Sequence, residues 1–535
     1  MPTVHSMLSR PKLRRFLGSA VFFLLFYLYV WLWIDPGLIY HSNWTALHFP
    51  CFWLGRAFAV GFLAYPGGPV EYVSAFLCQL YYYPWLGAGV ITLVAALLSL
   101  STGVLAAAVS GIRPRVLHLV PAVLFLLPYA KYANPMAAGL AALAAMLLSC
   151  AYVLLSVRRP PLRLAVFFVL AAAAYYVAGG ALLLYLVLAG AFEVVSRRQY
   201  LYGLLWVALA AAIPYAGAHA FRIPLSDAYL RLLPFDARLS SKTAAFAALL
   251  YVFVPLCAIG LAFGRRMGRF LAARGASRER RTALSGAAAL VRFLAERPAG
   301  WVVQSAVLFT VAAVPLLLRF DAGTRTLLRI DCYAQQGMWR PLLQEATCLP
   351  LHRYRPEVEW DVNRALYHTG QLLDRMFCYP QGTCGLFPIP REFSPLLASS
   401  EQEELSAAAY MKCADLLFEL GRVNESEVMT HETWELIGPR PRILKRLALV
   451  NAAKGRTEAA RVFLRALRKD LVHGEWARDR LRRLEADPRL ADEAEVERLR
   501  SAMVLEDAGG HFSREEMLLQ LLARDRHNRM AFEYL

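Results

Sequence analysis

Apolar residues dominate the first 320 positions and give way, after Arg319, to short amphipathic periods with charged faces. A membrane-crossing helix needs about 20 apolar residues. Runs of that kind, some of them short, recur at 16–34, 86–110, 116–130, 136–157, 164–178, 181–196, 200–218, 244–264 and 300–319. The pattern predicts about nine spans. Two further apolar pieces, 51–65 and 70–83, are broken by Arg56, by Pro66-Gly67-Gly68-Pro69 and by Glu71. They are predicted to be interfacial or re-entrant helices rather than spans. The expected fold is all-α: a polytopic helical membrane domain over 1–320, with a long outer first loop at 35–85, followed by a helical repeat domain over 321–535.

Charge orients this arrangement. Residues 1–320 hold 27 Lys and Arg against 7 Asp and Glu, whereas the remainder holds 31 against 33. The net charge of +18 therefore belongs to the apolar half and does not form a nucleic-acid surface. Basic clusters mark the cytoplasmic side of a membrane protein. With the N-terminus inside and nine spans, Arg10 to Arg15, Arg113/Arg115, Arg158/Arg159/Arg163, Arg197/Arg198 and the basic run at 265–297 all fall inside. The same register puts 35–85, 218–243 and everything after Arg319 outside, in the periplasm or extracellular space. The first apolar run has no small-x-small site before Asp35-Pro36 and reads as a retained signal anchor of the inner (plasma) membrane.

The second half carries a repeat. Gly337 in QQGMWRPLLQEA and Gly370 in HTGQLLDRM are 33 residues apart; Gly421 in ELGRVNESEVM and Gly455 in AKGRTEAARVF are 34 apart. Between Gly370 and Gly421 the spacing is 51, one repeat plus the insertion YPQGTCGLFPIPREFSP. Glycine suits the left-handed turn that ends one helix and starts the next. The small residues Ser426 and Ala460, five positions after the last two glycines, and Ala414 and Ala448, seven before, mark close helix approach. These features resemble the tetratricopeptide repeat, less well in the first two copies, where Leu342 and Arg375 hold the small position. Such arrays bind proteins or peptides on a concave face, although a purely structural cap would show the same pattern.

Nine cysteines are present. Four lie in apolar segments as core residues. In the second half, Cys378/Cys384 and Cys332/Cys348 are candidate disulfide pairs in an oxidising compartment, with a wholly reduced set the alternative. No Cys-x-x-Cys occurs and no histidine completes a zinc set, so no metal ligands are assigned. Nucleotide-loop, nucleophile-elbow and HExxH motifs are absent from the sequence.

Candidate chemistry therefore rests on ionisable groups kept at the membrane surface, which are functional candidates by default. Four of the seven acids of the first half face outside: Asp35, Glu71, Asp227 and Asp236. Arg56, Arg222, Arg231 and Arg238 share that face. Each has a plainer reading. Asp35 before Pro36 could cap a turn, Glu71 could favour a helix start, Asp227 and Asp236 could pair with loop arginines, and Arg56 could snorkel to headgroups.

An N-in first span, an acid directly after it, interfacial helices in a long outer loop, many spans and an exported tail together resemble the GT-C superfamily of glycosyltransferases. The resemblance implies a polyprenyl-phosphate-linked sugar donor at the outer face, with Asp35 or Glu71 as catalytic base and Arg56, Arg222, Arg231 or Arg238 holding the donor phosphate. No Asp-x-Asp, Glu-x-Asp or Asp-Glu pair follows the first span, unlike the superfamily pattern, and no cofactor is indicated. PGGPVEYVSAFLCQLYYYPWLGA and DRMFCYPQGTCGLFP also resemble an uncharacterised bacterial family of multi-pass proteins with repeat-containing tails. The alternative function is a non-catalytic, membrane-anchored repeat scaffold for periplasmic protein assembly, whose partner would be a protein or peptide on the repeats. A transporter is disfavoured, because Glu193 is the one acid deep in a span and no inverted repeat is visible.

Overall fold

The computed structural model describes residues 11–535 apart from 42–48, 115, 156–158, 237, 274–319, 383–399, 491–492 and 505–512. The described residues are helical throughout, with one isolated antiparallel bridge between Trp53 and Asp470 as their only extended pairing. They form two compact units: Met1–Gly37 with Arg56–Asp321, and Leu38–Gly55 with Ala322–Leu535. The chain thus enters the second unit twice. The loop expected over 35–85 is divided, its middle joining the second unit.

The first unit runs through α1 (Pro11–Leu28, continued as a π-helical Tyr29–Ile34), α2 (Pro36–His41, which crosses into the second unit), α3 (Arg56–Leu63), α4 (Gly68–Gln79), α5 (Pro84–Ser110), α6 (Val120–Tyr129), α7 (Met136–Leu155), α8 (Pro160–Ala178), α9 (Leu182–Ala191), α10 (Leu201–Phe221), α11 (Leu225–Leu230) and α12 (Ser241–Ala273). Pro84–Ser110, Met136–Leu155, Pro160–Ser196 and Ser241–Met267 are long and apolar enough to cross a membrane; Gly18–Ile34, Leu117–Tyr129 and Leu205–Phe221 are shorter apolar helices. The expected span at 300–319 lies outside the described residues. Pro160–Ser196 is not one rod. Gly179, at φ 58°, breaks it, and the Tyr185 hydroxyl donates to the Phe167 carbonyl at 3.1 Å although the two are 18 residues apart. A continuous helix would separate them by roughly 27 Å, so α8 and α9 fold back on each other at Gly179-Gly180, between the expected apolar runs 164–178 and 181–196.

Three of the buried hydroxyls inside these apolar helices are satisfied locally. Thr102, Ser110 and Ser149 each donate to the carbonyl four residues earlier, at 2.8, 2.6 and 2.8 Å. That is the economical solution where no water reaches the backbone. Large apolar side chains such as Leu154, Val169, Leu256 and Phe263 remain exposed on the outer faces, as a lipid-facing surface requires.

The second unit contains α13 (Ala322–Gln336), α14 (Trp339–Thr347), α15 (Pro356–His368), α16 (Leu372–Arg375), α17 (Ser400–Leu420), α18 (Val423–Ile437), α19 (Pro441–Ala453), α20 (Thr457–Leu467), α21 (Gly474–Ala486), α22 (Ala494–Ala502), α23 (Arg514–Arg524) and α24 (Arg529–Tyr534). Gly337, Gly370, Gly421 and Gly455 all have positive φ, and each separates two helices. Ser426 donates its hydroxyl to the Ala414 carbonyl at 2.8 Å, bringing the two small positions flanking Gly421 into contact. Ala460 is fully buried. At Arg375 the small residue is missing and α16 is a single turn. Cys332, Cys348, Cys378 and Cys413 are free thiols, so the Cys332/Cys348 pair is not formed; Cys384 lies outside the described residues.

Candidate functional site

The Pro-Gly-Gly-Pro break builds the first cluster. Gly67, at φ 85°, turns the chain into α4, and its N–H donates to the Tyr176 carbonyl at 2.9 Å. Glu71 then falls in the first turn of α4, where the helix dipole favours an acid. From the other side, Gly180 donates its N–H to the carbonyl of Arg231 at 3.0 Å, fixing the residue that ends α11. The Arg231 guanidinium grips Glu71 in a fork, with Nε–Oε1 and Nη2–Oε2 both 2.9 Å. The Tyr65 hydroxyl donates to the same Oε2 at 2.7 Å, and Arg231 lies 3.8 Å above the Tyr65 ring. All three side chains are half-buried. Burial and the neighbouring carboxylate push the Tyr65 phenol upward, so it stays a donor.

The remaining predicted residues take separate places. Arg238 pairs with Asp227 at 2.6 Å on the surface. Asp236 accepts from the backbone N–H groups of Leu232 and Arg238 at 2.9 and 3.0 Å, closing a turn. Arg222 ends α10 in the left-handed conformation, and Arg56 is exposed at the start of α3. Asp35 follows the π-helical stretch at φ 57°, ψ 89°, and its Oδ1 accepts from the Gly37 N–H at 3.1 Å. The adjoining Pro36 lies against Gly87 and Gly37 against Pro84, both in the first turn of α5. The structure joins Glu71 to Arg231.

The family model described as a family of unknown function (DUF6057) matches residues 10–535. The chain belongs to that family. No curated protein and no solved structure matches it. Membership unites the apolar and the charged halves in one family unit but brings no activity with it.

Two features of this DUF6057 chain escaped the sequence reading. The first is a buried ion network in the second unit. Lys412 reaches Asp331 at 3.1 Å and also pairs with Asp361. Arg364 bridges Asp361 at 3.1 Å and Glu419 at 2.5 Å. Asp415 is held between Arg442 and Arg446. Four acids face four bases, so the interior is close to neutral. Burial alone would raise the Glu419 carboxyl, but Arg364 and His368 outweigh it and hold it at about 2. The available signal was spacing: Lys412, Asp415 and Glu419 interrupt the apolar face of AYMKCADLLFEL three and four residues apart, on one side of a helix.

The second is a strap formed by residues 49–54, Phe-Pro-Cys-Phe-Trp-Leu, running extended along α19 to α21. The Leu54 N–H donates to the Lys469 carbonyl at 2.7 Å, beside the Trp53–Asp470 bridge. Arg440 donates to the Phe49 carbonyl at 2.5 Å. Phe49 and Phe52 are buried. Trp53 packs on the core made by Leu444, Leu464 and Leu481.

Proposed function

We propose that this protein is a membrane-anchored helical-repeat scaffold that holds an extended polypeptide segment on its second unit, with that unit outside the plasma (inner) membrane and the N-terminus in the cytoplasm. The observation that carries this reading is the strap: a stretch of chain already lies on α19–α21 in the extended, backbone-bonded manner of a bound peptide. The glycine-hinged helix pairs, 33 and 34 residues apart, support a tetratricopeptide-like array in that unit, and the one-sided basic clusters of the first half support the orientation. Glu71 accepts three hydrogen bonds from Arg231 and Tyr65, the arrangement of a forked structural ion pair.

One observation favours the second reading, a GT-C-like transferase drawing on a polyprenyl-phosphate-linked sugar. Asp35 is held in a left-handed backbone conformation where the first apolar helix ends, and strain of that kind collects at functional sites. Asp35→Asn separates the two readings. Asparagine tolerates the left-handed region as aspartate does but cannot act as a base. In a strain lacking the gene, Asp35→Asn at wild-type abundance is expected to restore function fully. Loss of function with the protein intact would replace the scaffold by the transferase. Protease added to intact spheroplasts should cut after residue 320 and spare 265–297; the reverse pattern would overturn the orientation.

A further inference from the structure

Asp321 is the last residue of the first unit and Ala322 the first of α13. That junction is tied to one end of the apolar helices. The Phe320 ring lies 5.8 Å from Trp33 and 6.3 Å from Tyr132, centroid to centroid, and the Asp321 N–H donates to the Ala130 carbonyl at 3.4 Å. Trp33 stands at the end of the apolar helix Gly18–Ile34, and Ala130 and Tyr132 follow Leu117–Tyr129 directly. Trp33 is exposed, and tryptophan at the end of an apolar helix marks the membrane–water interface. Consecutive Cα atoms are about 3.8 Å apart, so α13 starts at that level.

The connection 350–355 is fastened to the start of α13. Arg353 donates from Nη1 to the Thr324 hydroxyl at 3.1 Å, and a side chain at Gly323 would lie 2.8 Å from Arg353 Cδ. Two residues before Arg353, Leu351 is 76% exposed. After α15 the chain returns beside this connection. Tyr354 and Met376 pack on the core that contains Tyr379, and Tyr354 and Tyr379 are close enough to interact electrostatically. Phe377, next to Met376, is 83% exposed. Among the described residues of the second unit, Phe377 and Leu351 are the most exposed large apolar side chains. In 350–355 and 373–378, Arg353, Arg355, Arg375 and His352 stand against one acid, Asp374. Apolar side chains flanked by basic ones are the composition of an interfacial segment, whose cations meet anionic lipid groups while its apolar part enters the acyl boundary.

We propose that Leu351 and Phe377 are the tips of a bilayer-docking surface, entering the headgroup region of the membrane that holds the first unit while the neighbouring arginines meet lipid phosphates. Chain continuity selects the bilayer as occupant. Thr324, which receives Arg353, is three residues past Asp321 and so within about 11 Å of it. The inference goes beyond the scaffold reading and stands under either reading of function.

The test uses the full chain in nanodiscs of phosphatidylcholine and phosphatidylglycerol. Cys348→Ser with Cys384→Ser leaves the exposed Cys378 to carry a nitrobenzoxadiazole label beside Phe377, and peptide mass spectrometry confirms the site. Interfacial segments lie about 5–10 Å into the headgroup boundary, so lipids with a nitroxide near the headgroup should quench this label at least twofold. The same label on Glu458→Cys, exposed on α20, with Cys378 also replaced by serine, should keep its emission. Leu351→Asp, a change at an exposed position, should abolish the quenching at Cys378 while circular dichroism shows the helices intact. A Cys378 label that nitroxide lipids leave untouched overturns the proposal. If that label is also shielded from aqueous iodide, protein rather than lipid covers the tips. Equal quenching at Glu458→Cys, or quenching that survives Leu351→Asp, overturns it as well. None of these outcomes decides between scaffold and transferase, which Asp35→Asn separates.

Discussion

At Glu71 and Lys412 the same physics has different consequences. Glu71 is bound by a forked guanidinium and a phenol at the edge of the first unit; forked pairs of this type are the strong, directional ones. Lys412 lies in the interior of the second unit facing Asp331 and Asp361. Removing one member of a buried ion group strands its partners' charge at a cost of about 3–5 kcal/mol, whereas an all-apolar replacement can be neutral. Lys412→Met leaves Asp331 with Arg442, 3.8 Å away, as its remaining ion-pair partner. That substitution should lower the thermal midpoint of the full chain markedly, whereas Arg238→Ala, which breaks an exposed pair worth about 1 kcal/mol or less, should hardly move it. A melt in which both variants behave alike would remove the distinction between the buried network and the surface pair. Identity and spacing make Lys412, Asp415 and Glu419 visible in the sequence, but the pairing of Lys412 with Asp361 and of Glu419 with Arg364, 51 and 55 positions earlier, is not.

Among the elements, the helix pairs are the part most legible in the chain. A glycine at a helix end reports a backbone conformation, and that requirement is local. All four aligned glycines have positive φ for this reason. Their surroundings differ. A side chain at Gly455 would meet open space, whereas at Gly421, φ 96°, it would lie 2.8 Å from the Ala502 carbonyl. Gly455→Ala should therefore cost only the left-handed penalty, about 1–2 kcal/mol. Gly421→Ala should cost more than that, because α22 must also move away. Equal losses in chemical denaturation would show that the close approach at Ala502 does not matter. The four-residue α16 was foreshadowed by Arg375 at a position that calls for a small residue.

For the whole molecule, acid is the condition that reads the second unit as one body. Burial pushes the His41 imidazole down from 6.5 to about 4, against the pull of Asp331. Between those values the unfolded chain binds the proton and the folded chain does not, so stability falls as pH drops from about 6.5 to about 4. Glu419, depressed from 4.5 to about 2, extends the loss below that window: its stabilisation is complete above its ordinary value and disappears as pH falls through the folded one. The thermal midpoint should decline steadily from pH 7 to pH 4, and His41→Gln, which cannot take the proton, should flatten the upper part of that slope. A slope unchanged in His41→Gln would move the acid sensitivity to other groups.

Hydropathy, charge and glycine spacing determined by themselves that the chain is helical throughout its described length, that its first half carries helices apolar enough to span a membrane and that its second half pairs helices about left-handed turns. These are properties of neighbouring residues, written in periods of a few positions. Only the tertiary structure decided that Leu38–Gly55 joins the second unit rather than staying with the loop around it, that Glu71 pairs with Arg231, and that Trp53 packs on the core of α19–α21. Each of those depends on a partner between 160 and more than 400 residues away, selected by which backbones approach closely enough to exchange a hydrogen bond. Linear spacing carries no record of that choice.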